Sequence, residues 1–163
     1  MTTTPQRHLK DLMEDFSTAM LITHLNDHSV HARPMAIAHH DEDGSLYFAT
    51  SVDSAKLREI EADPDVALTM QSSSVYISVL GTAHASTDRA LIDRIWSEEM
   101  QIWFPDGKDD PMLVILKVVP TKAEYWDNSG VKGIGFAVSA LTAYITGQKL
   151  EANDAGKNAK VSL

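Results

Sequence analysis

The stretch HARPMAIAHHDEDGSLYFATSVDSAKLREI, residues 31–60, predicts a strand hairpin that is followed at once by a short helix. An acidic turn ending in Gly44 separates two segments of strand-forming composition, residues 30–39 and residues 45–50, and such a turn is typical of a hairpin. Residues 56–62 then have the leucine and isoleucine spacing of a helix. This order places the end of a strand beside the beginning of a helix.

Three polar side chains stand at that junction and suggest a phosphate site. Thr50 ends the second strand, and Ser54 and Lys56 lie at the beginning of the helix. The beginning of a helix offers free backbone N–H groups and a positive dipole end, so hydroxyls and an ammonium group gathered there favour a bound phosphate. The local pattern by itself favours a simpler interpretation, in which Asp53 or Ser54 caps the helix and Lys56 is in solvent.

Most of the remaining chain is predicted to form short strands, with two further helices. Many short antiparallel strands with few helices are typical of a β-barrel, so the predicted class is mainly β, or α+β. The predicted strands cover residues 17–25, 66–70, 75–85, 112–119 and 123–126, and the predicted helices cover residues 7–16 and 88–103.

The composition favours one domain and limits the classes of partner. A chain of 163 residues with 44% hydrophobic content can bury one sizeable core, which we assign to residues 1–147. Residues 148–163 are polar and lack apolar periodicity, so we predict a flexible tail there. The 23 acidic and 14 basic side chains give a net charge of -9, which disfavours nucleic acid and anionic membrane surfaces as partners.

Redox chemistry, if present, must come from a bound cofactor, because the chain has no cysteine for thiol or thiolate chemistry. The beginning of the chain lacks a targeting pattern, so a cytoplasmic location is expected. The apolar run at residues 131–147 is shorter than a membrane span requires.

Seven short motifs occur in a fixed order between about residue 8 and residue 127, and together they suggest a family. In this order they resemble the pyridoxamine 5′-phosphate oxidase-like FMN-binding split-barrel family, and within it the general stress protein 26 branch. The motifs are Arg33-Pro34-Met35, Leu46-Tyr47-Phe48-Ala49-Thr50, Ser54-Ala55-Lys56, Val79-Leu80-Gly81-Thr82-Ala83, Trp103-Phe104-Pro105, Asp109-Asp110-Pro111 and Ala123-Glu124-Tyr125-Trp126-Asp127.

The resemblance implies a six-stranded antiparallel split β-barrel with peripheral helices, which binds FMN, or FAD, at two equivalent sites in the interface of a homodimer. It implies that Thr50, Ser54 and Lys56 hold the flavin phosphate and that Trp103 covers the flavin from the second subunit. The complete set of implied contacts is Arg33, Pro34, Met35, Ala49, Thr50, Ser54, Lys56 and Trp103.

The residues alone give weaker predictions for two members of this set. Arg33 and Met35 share one face of a strand, and for Arg33 considered alone a surface ion pair is the favoured role. For Trp103 considered alone, core packing or a dimer contact is favoured.

The resemblance implies a flavin-binding general stress protein that acts as an oxidoreductase of unknown substrate, with no catalytic residue assigned. True pyridoxamine 5′-phosphate oxidases carry a C-terminal Arg-x-His segment, which is missing after Trp126, so vitamin B6 oxidation is not expected. Two alternatives remain open. One is a flavin-binding or sensing protein without catalysis.

The other alternative is a barrel that binds haem through histidine, which the resemblance implies because haem-degrading proteins also occur among FMN-type split barrels. Five histidines lie within one short segment, His24, His28, His31, His39 and His40. Neighbouring residues on a strand point to opposite faces and no helical His-x-x-x-His pair is present, so we expect no physiological metal site.

Overall fold

The computed structural model describes residues 4–129 and residues 157–163, which form one antiparallel sheet with three helices around it. The strands are β1 (Thr18–His24), β2 (Val30–Ala36), β3 (His39–His40), β4 (Leu46–Ser51), β5 (Asp65–Gln71), β6 (Val75–Ser86), β7 (Leu113–Asp127) and β8 (Lys157–Ser162). The helices are α1 (Pro5–Glu14), α2 (Ala55–Ala62) and α3 (Arg89–Ile95), and short 3-10 turns cover Glu98–Ile102 and Gly107–Asp109. No helix in the described segments is long and apolar enough to cross a membrane.

The sheet closes on itself because one extended segment, residues 30–40, contributes to both of its edges. The strand order is β2-β1-β5-β6-β7-β4-β3, and β2 and β3 are the two halves of this segment. The Ile37 N–H donates to the carbonyl of Ser17 at 2.9 Å, and the Ala38 N–H donates to the carbonyl of Tyr47 at 2.7 Å. The segment thus passes from pairing with β1 to pairing with β4, which confirms the predicted split barrel.

The strand count exceeds the predicted six for two reasons. Residues 30–40 form two strands separated by two residues, and β8 adds a further strand. β8 pairs with residues 122–127 of β7, on the edge that β4 occupies along residues 113–118. The prediction of a flexible tail is therefore wrong for residues 157–162, because the free edge of β7 supplies backbone partners there. Residues 148–156 of the predicted tail, and the predicted domain end at residue 147, lie outside the described residues.

Side chains of alternating strand positions fill the barrel, and two helices close it. Buried residues on the inner faces include Leu21, Leu68, Val79, Leu116 and Val118, and α1 and α2 add Leu9, Leu12, Met13, Leu57 and Ile60. β4 and the first half of β7 are also covered on their outer faces, because a second cluster packs there: Tyr47, Ile92, Ile95, Met100, Phe104, Leu113 and Ile115. Burial on both faces explains the nearly continuous apolar sequence of residues 112–119.

The predicted helix over residues 88–103 is wrong in its second half. α3 ends at Ile95, since Trp96 takes an extended backbone conformation with ψ 133°. In β6 the register against β7 shifts at one step, because Leu80 opposes Lys122 and Gly81 opposes Pro120. A glycine within a strand often marks such a bulge or a close approach of backbone.

Candidate functional site

An open cleft of about 840 Å³ lies between the β2–β3 segment, the end of β4 and the 3-10 turn that follows α3. This volume is in the range of ligand sites for small organic molecules and cofactors. Its apolar lining comes from Pro34, Met35, Ile37, Ala49, Met100, Ile102, Trp103, Phe104 and Met112. Its polar lining comes from Thr50, Ser51, Lys56, Ser97, Glu99 and Asp110. A cleft whose lining is mainly apolar suits a planar ligand that carries one charged end.

Thr50 and Lys56 line the polar end of the cleft, and Ser54 is hydrogen-bonded to Thr50 there. The Lys56 Nζ donates to Thr50 Oγ1 at 2.9 Å, and Thr50 Oγ1 donates to Ser54 Oγ at 3.3 Å. Ser54 stands directly before α2, but its side chain makes no capping hydrogen bond to the helix. Its hydroxyl hydrogen is therefore available to a ligand. The structure brings the three side chains together, and their binding of a phosphate stays a prediction.

The ammonium group of Lys56 is partly withdrawn from water at this position. Burial lowers the pKa of Lys56, the positive charge of Arg33 lowers it further, and the negative charge of Glu59 opposes both effects. A cation in such surroundings has lost hydration and lies near a like charge, so an incoming anion stabilises it more than it would a fully solvated lysine.

Arg33 lies beside this polar end and is held by neighbouring side chains. Its Nη2 donates to Glu59 Oε2 at 2.5 Å, and its Nη1 donates to Thr23 Oγ1 at 2.6 Å. Thr23 Oγ1 donates to the same Glu59 oxygen at 2.6 Å, and His31 Nδ1 lies 3.3 Å from Glu59 Oε1. Burial alone would raise the pKa of Glu59, but the hydrogen bonds from Thr23, His31 and Arg33 hold that pKa below its usual value. Glu59 is therefore an anion.

Six of the eight predicted contact residues line the cleft: Pro34, Met35, Ala49, Thr50, Lys56 and Trp103. Ser54 is connected to the lining through Thr50. Arg33 is not among the lining residues, and its guanidinium group pairs with Glu59. An ion pair is the role that the residues alone favoured for Arg33, but this pair is largely withdrawn from water and is not the exposed surface pair that was expected.

Trp103 lies on the rim of the cleft, at the end of the 3-10 turn. Its side chain is 66% exposed, and that of the neighbouring Ile102 is 77% exposed. Both line the cleft of their own chain. The predicted contribution of Trp103 to the cleft of a second subunit stays a prediction.

Sequence reasoning missed Glu59 and the two cleft methionines, Met100 and Met112. Glu59 lies three residues after Lys56 and thus one turn further on the same helix face, a spacing that is visible in the sequence. Met112 lies beside the polar end because its carbonyl accepts the N–H of Val52 at 2.9 Å. That neighbourhood depends on the register of β4 against β7, which the sequence does not show.

Four of the five histidines that suggested haem, His24, His31, His39 and His40, have partners for their side chains outside the cleft. His24 faces Asp63 at 3.2 Å, His40 faces the carbonyl of Phe16 at 3.1 Å, and the His39 ring packs against Tyr47. Within residues 4–129 and 157–163, no histidine lines the cleft and no group of three side chains is placed to hold a metal ion. The described residues thus offer haem no axial ligand in this cleft.

Comparison with known proteins identifies the family. The sequence model of the family described as pyridoxamine 5′-phosphate oxidase like matches residues 4–151, so the chain belongs to that family. This match confirms the resemblance that the seven motifs indicated.

Individual relatives lie in the general stress protein branch. The general stress protein 26 of Bacillus subtilis is 38% identical over 96 residues, which cover 55% of this chain and 66% of that protein. The solved structure of a candidate general stress protein 26 from Jannaschia sp. CCS1 is 25% identical with a TM-score of 0.74, covering 97% of this chain and 98% of that one. The general stress FMN/FAD binding protein of Xanthomonas citri is 28% identical with a TM-score of 0.65, covering 76% and 88%. The chain thus spans just under two thirds of the Bacillus protein.

Proposed function

We propose that this chain is a flavin-binding general stress protein, which holds FMN or FAD in the cleft with the flavin phosphate on Lys56, Thr50 and Ser54. The observation that carries the proposal is the cluster of these three side chains at the polar end of an apolar cleft. The similarity to a general stress FMN/FAD binding protein supports the same assignment.

The residues of the cleft fit a flavin in chemistry and in size. The ammonium group of Lys56, the free hydroxyl hydrogen of Ser54 and the backbone N–H groups at the beginning of α2 are donors for a phosphate. Met35, Met100 and Trp103 offer apolar and polarisable surface for a planar ring. Flavins supply hydride or electron transfer when bound, so the chain's own role is to bind, to orient and to limit access of water.

The proposal includes a homodimer with a cleft of each chain at the interface. Ile102 and Trp103 form an apolar rim that is largely exposed in the single chain. A second copy that covers this rim would remove apolar surface from water and would exclude water from the cleft.

Flavin binding is tested by an absorption and fluorescence titration with FMN, FAD and riboflavin. The substitution Lys56→Ala should weaken FMN binding by at least about tenfold and change riboflavin binding little, because riboflavin has no phosphate. The matched control is Lys10→Ala, since Lys10 pairs with Glu14 on α1 and does not line the cleft. Absence of FMN binding, or equal effects of the two substitutions, would contradict the proposal.

Oxidoreductase activity is a separate step of the proposal and needs its own measurement. The flavin-loaded protein should be reduced by a nicotinamide donor and should pass electrons to a dye or to oxygen over many turnovers. A protein that binds flavin but does not turn over with any such donor would instead be a flavin-binding or sensing protein.

A further inference from the structure

Glu59 is the centre of a partly buried polar group next to the proposed phosphate site. Its carboxylate accepts hydrogen bonds from Arg33 and Thr23 and faces His31. The side chains of Arg33 and Glu59 are only 14% and 11% exposed. The proposed phosphate ligand Lys56 belongs to the same helix, and its charge interacts with the charges of both partners.

The charges of this group decide how much negative charge the polar end can accept. Arg33 and Lys56 are two cations, and Glu59 is one anion that directly pairs with Arg33. Within this group of three side chains, one positive charge, that of Lys56, is therefore uncompensated. The cleft lining also contains Glu99 and Asp110, which add negative charge to the cleft as a whole. The terminal phosphate of a monoester such as FMN approaches two negative charges above its second pKa, near 6, whereas each phosphate of a diphosphate linkage, as in FAD, carries one.

We propose that Glu59 is a positioning residue that holds Arg33 out of the cleft, leaves the polar end with one uncompensated positive charge and thereby shifts its selectivity from FMN toward FAD. The inference rests on the proposed function. It follows from charge matching, because a phosphate with one negative charge neutralises this site while a dianion leaves an excess negative charge beside the Glu59 carboxylate.

The test is the ratio of FMN to FAD affinity at pH 8, where the FMN phosphate is doubly charged, with riboflavin as the phosphate-free reference. Glu59→Gln keeps the acceptor for Arg33 and Thr23 but removes the negative charge. It should raise FMN affinity relative to FAD by about tenfold and leave riboflavin binding unchanged. Glu61→Gln is the matched control, because Glu61 is an exposed residue of the same helix and its substitution changes the net charge equally.

An unchanged FMN to FAD ratio in Glu59→Gln, or an equal change in Glu61→Gln, would overturn the inference. If no flavin binds, or if Lys56→Ala has no effect, the proposed function fails first. If Lys56→Ala weakens flavin binding but Glu59→Gln leaves the ratio of FMN to FAD affinity unchanged, only the proposed role of Glu59 is wrong.

A second pair of variants separates charge from direct contact. Arg33→Gln leaves Glu59 uncompensated, so it should lower the FMN to FAD ratio by about tenfold. The double variant Arg33→Gln with Glu59→Gln again has Lys56 as its uncompensated charge, and its ratio should return to within about twofold of the original. Removing both partners of an ion pair that is largely withdrawn from water is tolerated better than removing one, so this variant serves if Glu59→Gln does not fold. A ratio that stays low in the double variant would overturn the inference and make Arg33 a direct ligand.

Discussion

At the scale of single residues, Gly81 has the least room for a side chain among the glycines of residues 4–129. A Cβ atom added there would overlap the carbonyl oxygen of Val119 and lie 3.0 Å from its carbonyl carbon, and backbone cannot move aside as a side chain can. Gly81→Ala should therefore lower the free energy of unfolding by about 3 kcal/mol in a urea titration. Gly107→Ala is the comparison, since Gly107 has φ +71° with nothing within 4 Å of a Cβ. It should cost only about 1 kcal/mol, and equal losses for both would contradict the overlap at Gly81.

Asp127 gives a prediction on pH dependence at the same scale. Burial would raise the pKa of Asp127, but hydrogen bonds from Ser129 and the contact with His8 at 2.7 Å lower it overall. A carboxyl whose pKa is lowered by folding adds stability above its unfolded pKa, near 4, and loses that contribution as the pH falls through the folded pKa.

Asp127→Asn should therefore cost about 2 kcal/mol of unfolding free energy at pH 7. The difference from the original protein should shrink below about pH 4, where the carboxyl is protonated in the unfolded chain. Chemical denaturation at pH 7 and at pH 3 measures this. A difference of the same size at both pH values would show that the contribution is not from the charge of Asp127.

The residue scale also shows where sequence reasoning reaches its limit. Thr50, Ser54 and Lys56 lie within seven residues, so local structure alone brings them together and the sequence predicted their cluster. The partner of Arg33 is Glu59, which lies 26 residues further along the chain. The two side chains meet only because β1 pairs with β2 and α2 packs against β1. The spacing of Glu59 from Lys56 is visible in the sequence, but that spacing does not show that Glu59 pairs with Arg33.

At the scale of elements, β8 is a strand that forms because the edge of β7 offers it hydrogen-bond partners. Residues 157–162 carry little apolar periodicity, yet they pair with β7, and Val161 is 4% exposed in the barrel core. Val161→Ala should lower the unfolding free energy by about 2 kcal/mol. Val30→Ala on the edge of β2 is the control, because Val30 is 59% exposed and should change stability by less than about 0.5 kcal/mol. An effect of Val161→Ala no larger than the control would mean that the tail is not docked.

The end of α3 illustrates a different failure of local pattern. Helical spacing continued from Ile92 and Ile95 would bury Glu99 and expose Met100 and Phe104. The chain instead becomes extended at Trp96 and resumes as a 3-10 turn. This interruption changes the phase, so that Met100 and Phe104 join the cluster on the outer face of β4 and β7. Tertiary burial decided the outcome, and the position of Glu99 on the apolar face was the sequence signal against a continuous helix.

At the scale of the whole molecule, the exposed rim of the cleft predicts how chains associate. Ile102 and Trp103 are the two most exposed large apolar side chains in the described residues, and a proposed dimer that covers them should sediment at twice the chain mass of 17.9 kDa. Ile102→Asp would place a charge in that interface, so it should raise the dimer dissociation constant by at least about tenfold and weaken FMN binding with it. Leu80→Asp is the control, because Leu80 is 51% exposed on the outer face of β6. Analytical ultracentrifugation that finds a monomer, or a dimer broken by Leu80→Asp and not by Ile102→Asp, would place the cleft away from any interface between chains.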